Sequence, residues 1–138
     1  MSGLKTRPVG ATATLGRTGY PHLVSDTGGT LEIATGASQP GFNPIDLLHA
    51  ALAACLTMSA RIAVRELGLA DSLSEVVARV TGDKAKDGPS RIARFHVNMH
   101  FKGTLTPQQQ SAVVHRAEEI CTVSNSLASR PVIEIGEF

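Results

Sequence analysis

Two cysteines are the residues best suited to chemistry in this chain, and each sits where core packing alone explains it poorly. Cys55 lies inside Asn43-Pro-Ile-Asp-Leu-Leu-His-Ala-Ala-Leu-Ala-Ala-Cys55, a long apolar segment, and Cys121 opens Cys121-Thr-Val-Ser-Asn-Ser-Leu. Brought together by the fold, they would form a thiol pair able to cycle between reduced and disulfide states. No CxxC motif and no cluster of other metal ligands accompanies either of them. One helical turn from Cys55 stand Ala51, Leu52, Met58 and Ser59, all small or apolar, which suits an inert buried cysteine equally well. A nucleophilic Cys55 needs a cation, because apolar surroundings raise a thiol pKa while attack requires the thiolate, and nothing local to the helix supplies one. Cys121 ends a helix and is followed by Thr122, Ser124, Asn125 and Ser126. Such side chains cap a new turn whose free amides favour an anion, although a small residue at a junction is the plainer account.

The remaining candidates are weaker. His96 and His100 have the spacing of a helical zinc pair but fall on a strand, where period two separates them by about 13 Å, too far to chelate one ion. His49 has no carboxylate one turn on and reads as a core or interface histidine. Thr27-Gly-Gly-Thr and Gly16-Arg-Thr-Gly lack the context of a phosphate-binding loop, and no Ser/His/Asp triad or dinucleotide fingerprint is present. No cofactor and no metal are expected.

The elements that must position the cysteines follow from periodicity and turn residues. Ala11-Thr-Ala-Thr-Leu, His22-Leu-Val-Ser-Asp and Thr30-Leu-Glu-Ile-Ala read as three short strands joined by the turns Arg17-Thr-Gly-Tyr-Pro and Thr27-Gly-Gly. A polar, Gly-rich segment, Gly36 to Phe42, follows. Asn43-Pro44 is a helix start, and the helix runs to about Leu67, with Gly68 as its stop. Being apolar nearly all round, it should be buried on most faces. Leu73 to Lys84 and Arg91 to Gly103 are longer strands; in the second, Ala93, Phe95, Val97, Met99 and Phe101 share one face, and Arg94, His96, Asn98, His100 and Lys102 the other. Thr106-Pro-Gln-Gln109 satisfies a capping box and opens a second helix. A turn or short helix around Ser124 to Ala128 precedes a last strand, Pro131 to Ile135. The order βββ-α-ββ-α-β predicts a single α+β domain over residues 1–138, with antiparallel sheets around a buried central helix. So apolar a helix is hard to cover with one chain's sheets, and a homodimer is the natural solution.

Bulk properties narrow the function classes. The 138 residues suffice for one substantial core, and 42% hydrophobic with 18% charged residues is ordinary for a globular protein. With four Phe, one Tyr and no Trp, that core must be aliphatic. The net charge of +1 and scattered Lys and Arg argue against nucleic acid as a partner. Met1-Ser-Gly-Leu-Lys-Thr-Arg-Pro has no apolar core of a signal peptide, and the longest uncharged stretch, Leu47 to Ala60, is too short for a membrane span. A cytoplasmic protein that does not engage membranes is expected, and in that compartment a redox-cycling or inert thiol is a better expectation than a structural disulfide.

Over nearly its whole length the chain resembles the OsmC/Ohr family of organic hydroperoxide-handling proteins. The residues carrying the likeness are Ala11-Thr-Ala-Thr-Leu-Gly-Arg17, the Asn43-Pro-x-Asp-Leu-Leu-x-Ala-Ala-Leu-Ala-Ala-Cys55 helix and Ala117-Glu-Glu-Ile-Cys121-Thr-Val-Ser. The resemblance implies an intertwined homodimer with two sites at its interface. Cys55 matches the peroxidatic cysteine, Cys121 the resolving one, and Arg17 the arginine that holds the first as thiolate, which is the cation missing from the helix itself. The implied activity is thiol-dependent reduction of organic hydroperoxides, through a Cys55 sulfenic acid and a Cys55–Cys121 disulfide, with an external thiol or dithiol such as a lipoyl group as reductant. The best-characterised Ohr-type members carry a glutamate directly after the Asn-Pro or Ser-Pro; here Ile45 stands there and Asp46 follows, as in other OsmC-like subgroups. Asp46 is then a candidate partner of Arg17, or simply an acid favoured by the helix dipole. A non-enzymatic, ligand-binding or redox-sensing dimer built on the same fold is the alternative reading.

Overall fold

The computed structural model describes residues 9–35 and 39–137. Met1 to Pro8, read above as lacking a signal peptide, and Gly36 to Ser38 of the polar connector lie outside the described residues. Two compact units are distinguished, Met1–Leu47 and Leu48–Phe138.

The first unit holds the strands β1 (Ala11–Thr14), β2 (His22–Ser25) and β3 (Thr30–Glu32), paired in that order. Both pairings are antiparallel, with Thr12 opposite Val24 and Leu23 opposite Leu31. The β2–β3 turn closes where the sequence places it: the Gly28 amide donates to the Ser25 carbonyl at 2.9 Å, and Gly28 has φ +99°, a conformation glycine adopts without steric cost. Phe42 pairs with Ile33 across an isolated bridge, and the first turn of α1 (Pro44–Glu66) follows.

The second unit holds the rest of α1, a single 3₁₀ turn (Ala70–Ser72), β4 (Leu73–Lys84), β5 (Ile92–Gly103), α2 (Pro107–Ile120), α3 (Thr122–Asn125) and β6 (Val132–Ile135). The 3₁₀ turn has no counterpart in the sequence expectations. β4 and β5 form a long antiparallel hairpin. Along β5 the expected alternation is present, with Phe95, Val97, Met99 and Phe101 buried while the residues between them are more exposed. These four join Leu52, Leu56, Ala60, Ala63 and Val64 of α1 and Val113, Val114, Ala117 and Cys121 at α2 in one core cluster. Side chains such as Leu52, Leu56 and Met99 are fully buried, and each contributes about 1.5–3 kcal/mol relative to exposure. At the end of β5, Gly103 takes φ +136°, and a Cβ there would lie 2.2 Å from the Ser72 carbonyl oxygen. The strand therefore stops at a residue without a side chain, and Thr104 donates to that carbonyl at 2.9 Å.

Three expectations are corrected. The sheets are not wholly antiparallel: β6 runs parallel to β5, with Val97 opposite Ile133. α2 and α3 supply the crossover that a parallel pair requires, whereas a hairpin would have reversed the strand. Within the single chain, α1 is not buried on most faces. Leu52, Leu56, Ser59, Ala60, Ala63 and Val64 are covered, while Leu48, Met58 and Ile62 are 38%, 58% and 43% exposed. One side of a helical cylinder is all that a single layer of sheet and helix can cover. Third, α1 is, by length and composition, long and apolar enough to cross a membrane, so the short uncharged stretch did not exclude a span; in the fold the helix lays its buried stripe into the core cluster.

Candidate active site

The helix that carries Cys55 is anchored by its own first residues. The Asn43 amide donates to Asp46 Oδ2 at 3.0 Å, and the Asp46 amide donates to Asn43 Oδ1 at 2.8 Å. This reciprocal cap satisfies amides that the first turn leaves without intrahelical partners, and Pro44 lacks an amide to satisfy. Asp46 thus has its carboxylate on a backbone amide within its own turn. Asp46→Ala is expected to cost about 0.5–2 kcal/mol in chemical denaturation.

Cys55 lies in the middle of α1, half-buried and packed against the core cluster. Cys121 is fully buried at the junction of α2 and α3. The fold brings the two close enough that each shifts the other's titration. Cys121 also builds the junction itself. Its amide donates to the Ala117 carbonyl at 2.9 Å and closes α2, while its sulfur accepts from the Ser124 amide at 3.4 Å and caps α3. The sequence assigned that cap to side-chain oxygens after Cys121; the sulfur holds it, because Cys121 is the residue in extended conformation directly before α3. The same capping starts α3 at Thr122 rather than near Ser124.

Burial pushes the Cys55 thiol up, but hydrogen bonds from the Cys121 thiol, the Val123 amide, the Ser59 hydroxyl and the Thr122 amide outweigh it and hold Cys55 below the usual thiol range. Cys121 moves the other way, pushed up to about 11, chiefly by burial and then by its hydrogen bond to Cys55. A thiol donates to a neighbouring thiolate only while it keeps its proton, so of the two Cys55 is the one that gives up its proton first.

Arg17 is exposed in the β1–β2 loop of the first unit. Ile45, exposed on the first turn of α1, stands beside Asp46. His96 is bonded to Asp83 Oδ2 at 2.7 Å on the outer face of the β4–β5 hairpin. His49 stacks edge-on against Phe95 with ring centroids 5.8 Å apart, in keeping with a core histidine. Sequence reasoning missed three groups on the Cys55 sulfur: the Ser59 hydroxyl and the Thr122 and Val123 amides. Ser59 carried a signal, as a polar residue one turn from Cys55 on an apolar helix; backbone amides carry none.

The model of the OsmC family, described as OsmC-like protein, matches residues 36–136. Among solved structures, the organic hydroperoxide resistance protein OhrB of Bacillus subtilis is 25% identical, with 92% of this chain and 95% of that chain covered and a TM-score of 0.70. An organic hydroperoxide resistance protein OsmC from Legionella pneumophila is 23% identical over 97% of each chain, with a TM-score of 0.72. An OsmC-like protein of unknown function from Vibrio cholerae is 18% identical, covering 95% of this chain and 100% of that one, with a TM-score of 0.80. The last two likenesses are likenesses of fold. No curated protein sequence matches the chain.

Proposed function

Since the chain belongs to the OsmC-like protein family, we propose that it is a cysteine-based peroxidase that reduces organic hydroperoxides to alcohols. What supports this reading is the thiol pair: a half-buried Cys55 beside a buried Cys121, the first drawn below the usual thiol range by its neighbours and the second pushed up to about 11. The Cys55 thiolate attacks the distal oxygen of ROOH; the O–O bond breaks, the alkoxide takes up a proton and leaves as ROH, and the sulfur is left as a sulfenic acid. Cys121 then attacks that sulfur, water departs, and the Cys55–Cys121 disulfide forms. An external dithiol, of the lipoyl kind, reduces it and restores both thiols. The Arg17 guanidinium would stabilise the thiolate and orient the peroxide, with Asp46 as a candidate for orienting Arg17 in turn. The Leu and Ala residues around Cys55 suit the apolar R group better than they suit hydrogen peroxide. The working form would be a cytoplasmic homodimer in which a second copy covers the exposed Leu48, Met58 and Ile62 stripe of α1.

Thiol titration tests this directly. Reduced protein treated with one equivalent of cumene hydroperoxide is expected to lose both of its free thiols per chain. Unchanged thiols after that treatment would favour a non-enzymatic binding role and sink the peroxidase reading.

A further inference from the structure

Among the described residues two polar side chains are buried in the core, Ser59 at 4% and Ser124 at 5% exposure, and both sit against the cysteines. Ser124 serves through its amide, on Cys121 Sγ. Ser59 serves through its side chain. It follows Cys55 by one turn of α1, on the same face of the helix, which sets its hydroxyl beside the Cys55 side chain. Stability gives no reason for a serine there. The residues covered beside it on α1, Leu52, Leu56, Ala60 and Ala63, are apolar, alanine is the better helix former, and a buried hydroxyl is a cost unless bonded.

We propose that Ser59 is a positioning residue for Cys55: its hydroxyl donates a hydrogen bond to the thiolate and holds the sulfur toward Cys121 and the Thr122 and Val123 amides. The proposal rests on Cys55 being the attacking cysteine. Within the second unit, Cys121 is the titratable group that meets the Cys55 sulfur, and the other groups on it are the two amides and this hydroxyl. The amides are fixed by the α2–α3 junction. The hydroxyl alone belongs to the helix that carries Cys55, so it keeps its place on the sulfur whatever the junction does. A serine that merely bonded back to the Cys55 carbonyl, as helical serines do, would leave the sulfur's reactivity untouched.

The test is the pH profile of iodoacetamide alkylation of the reduced full-length protein, read at Cys55 by peptide mass spectrometry and needing no peroxide. Ser59→Ala is expected to move the profile to higher pH and to slow alkylation about three- to tenfold at neutral pH, the size expected for one ordinary intramolecular hydrogen bond. Its Tm should be equal to or above that of the wild type. Ser59→Thr, which keeps the hydroxyl, is expected to bring the profile back. A Ser59→Ala profile that overlays the wild type overturns the proposal. So does a Thr variant shifted as far as the Ala variant, since packing and not the hydroxyl would then be responsible. Peroxide consumption is measured separately: its absence in the wild type would sink the peroxidase reading and leave the alkylation result standing.

Discussion

Cys55→Ser is expected to reduce consumption of an alkyl hydroperoxide to the uncatalysed background. A serine hydroxyl is a weak nucleophile at neutral pH, and hydrogen bonds that hold a thiol below its usual range cannot bring an alcohol within reach of ionisation. Cys121→Ser should behave differently. The serine can still donate to the Cys55 thiolate, so the first turnover survives and one equivalent of alcohol appears per chain. Further equivalents should follow only slowly with a dithiol reductant, because the sulfenic acid has lost the adjacent thiol and must condense with the external one. The two variants together read the division of labour implied by opposite shifts, Cys55 down and Cys121 up to about 11. Measured by loss of cumene hydroperoxide and by alcohol formed, a Cys55→Ser protein with wild-type turnover would end the mechanism.

Leu56→Ala is expected to cost about 2–5 kcal/mol in urea denaturation, with a fall in Tm of roughly 6–20 °C. Leu56 adjoins Cys55 in sequence, is fully buried and belongs to the cluster that joins α1 to β5 and α2. Its loss leaves a cavity in the element that carries the nucleophile. Met58→Ala, two positions on, removes a side chain that is 58% exposed in the single chain and offers a contrast for the isolated fold. A Leu56→Ala protein destabilised by less than about 1 kcal/mol would show that the covered stripe of α1 is not what secures the helix to the core.

Legibility in the sequence followed the range of the interaction. Asn43-Pro44, Thr106 with Gln109 and the alternation of Phe95, Val97, Met99 and Phe101 announce helix starts and a buried strand face, and they lie within a residue or so of where the structure has them. Each rests on contacts between residues a few positions apart. The extent to which α1 is covered did not follow from its composition: Leu48, Met58 and Ile62 are as apolar as Leu52 and Leu56, and only the count of layers available to pack on them separates the two stripes. The parallel strand β6 was hidden for the same reason, since a four-residue strand pairs in either direction until the crossover before it is known.

The cysteines show the division most clearly. That Cys55 sits in an apolar helix and Cys121 at a helix junction is written in the local pattern, as is the presence of a fresh turn with free amides after Cys121. What points those amides and the Cys121 thiol at one sulfur is the packing of the α2–α3 junction against the middle of α1. That packing joins residues far apart along the chain, and no period or spacing encodes it. It decides the charge state as well: apolar neighbours alone would raise the Cys55 thiol, and the donors assembled around it in three dimensions turn that shift downward.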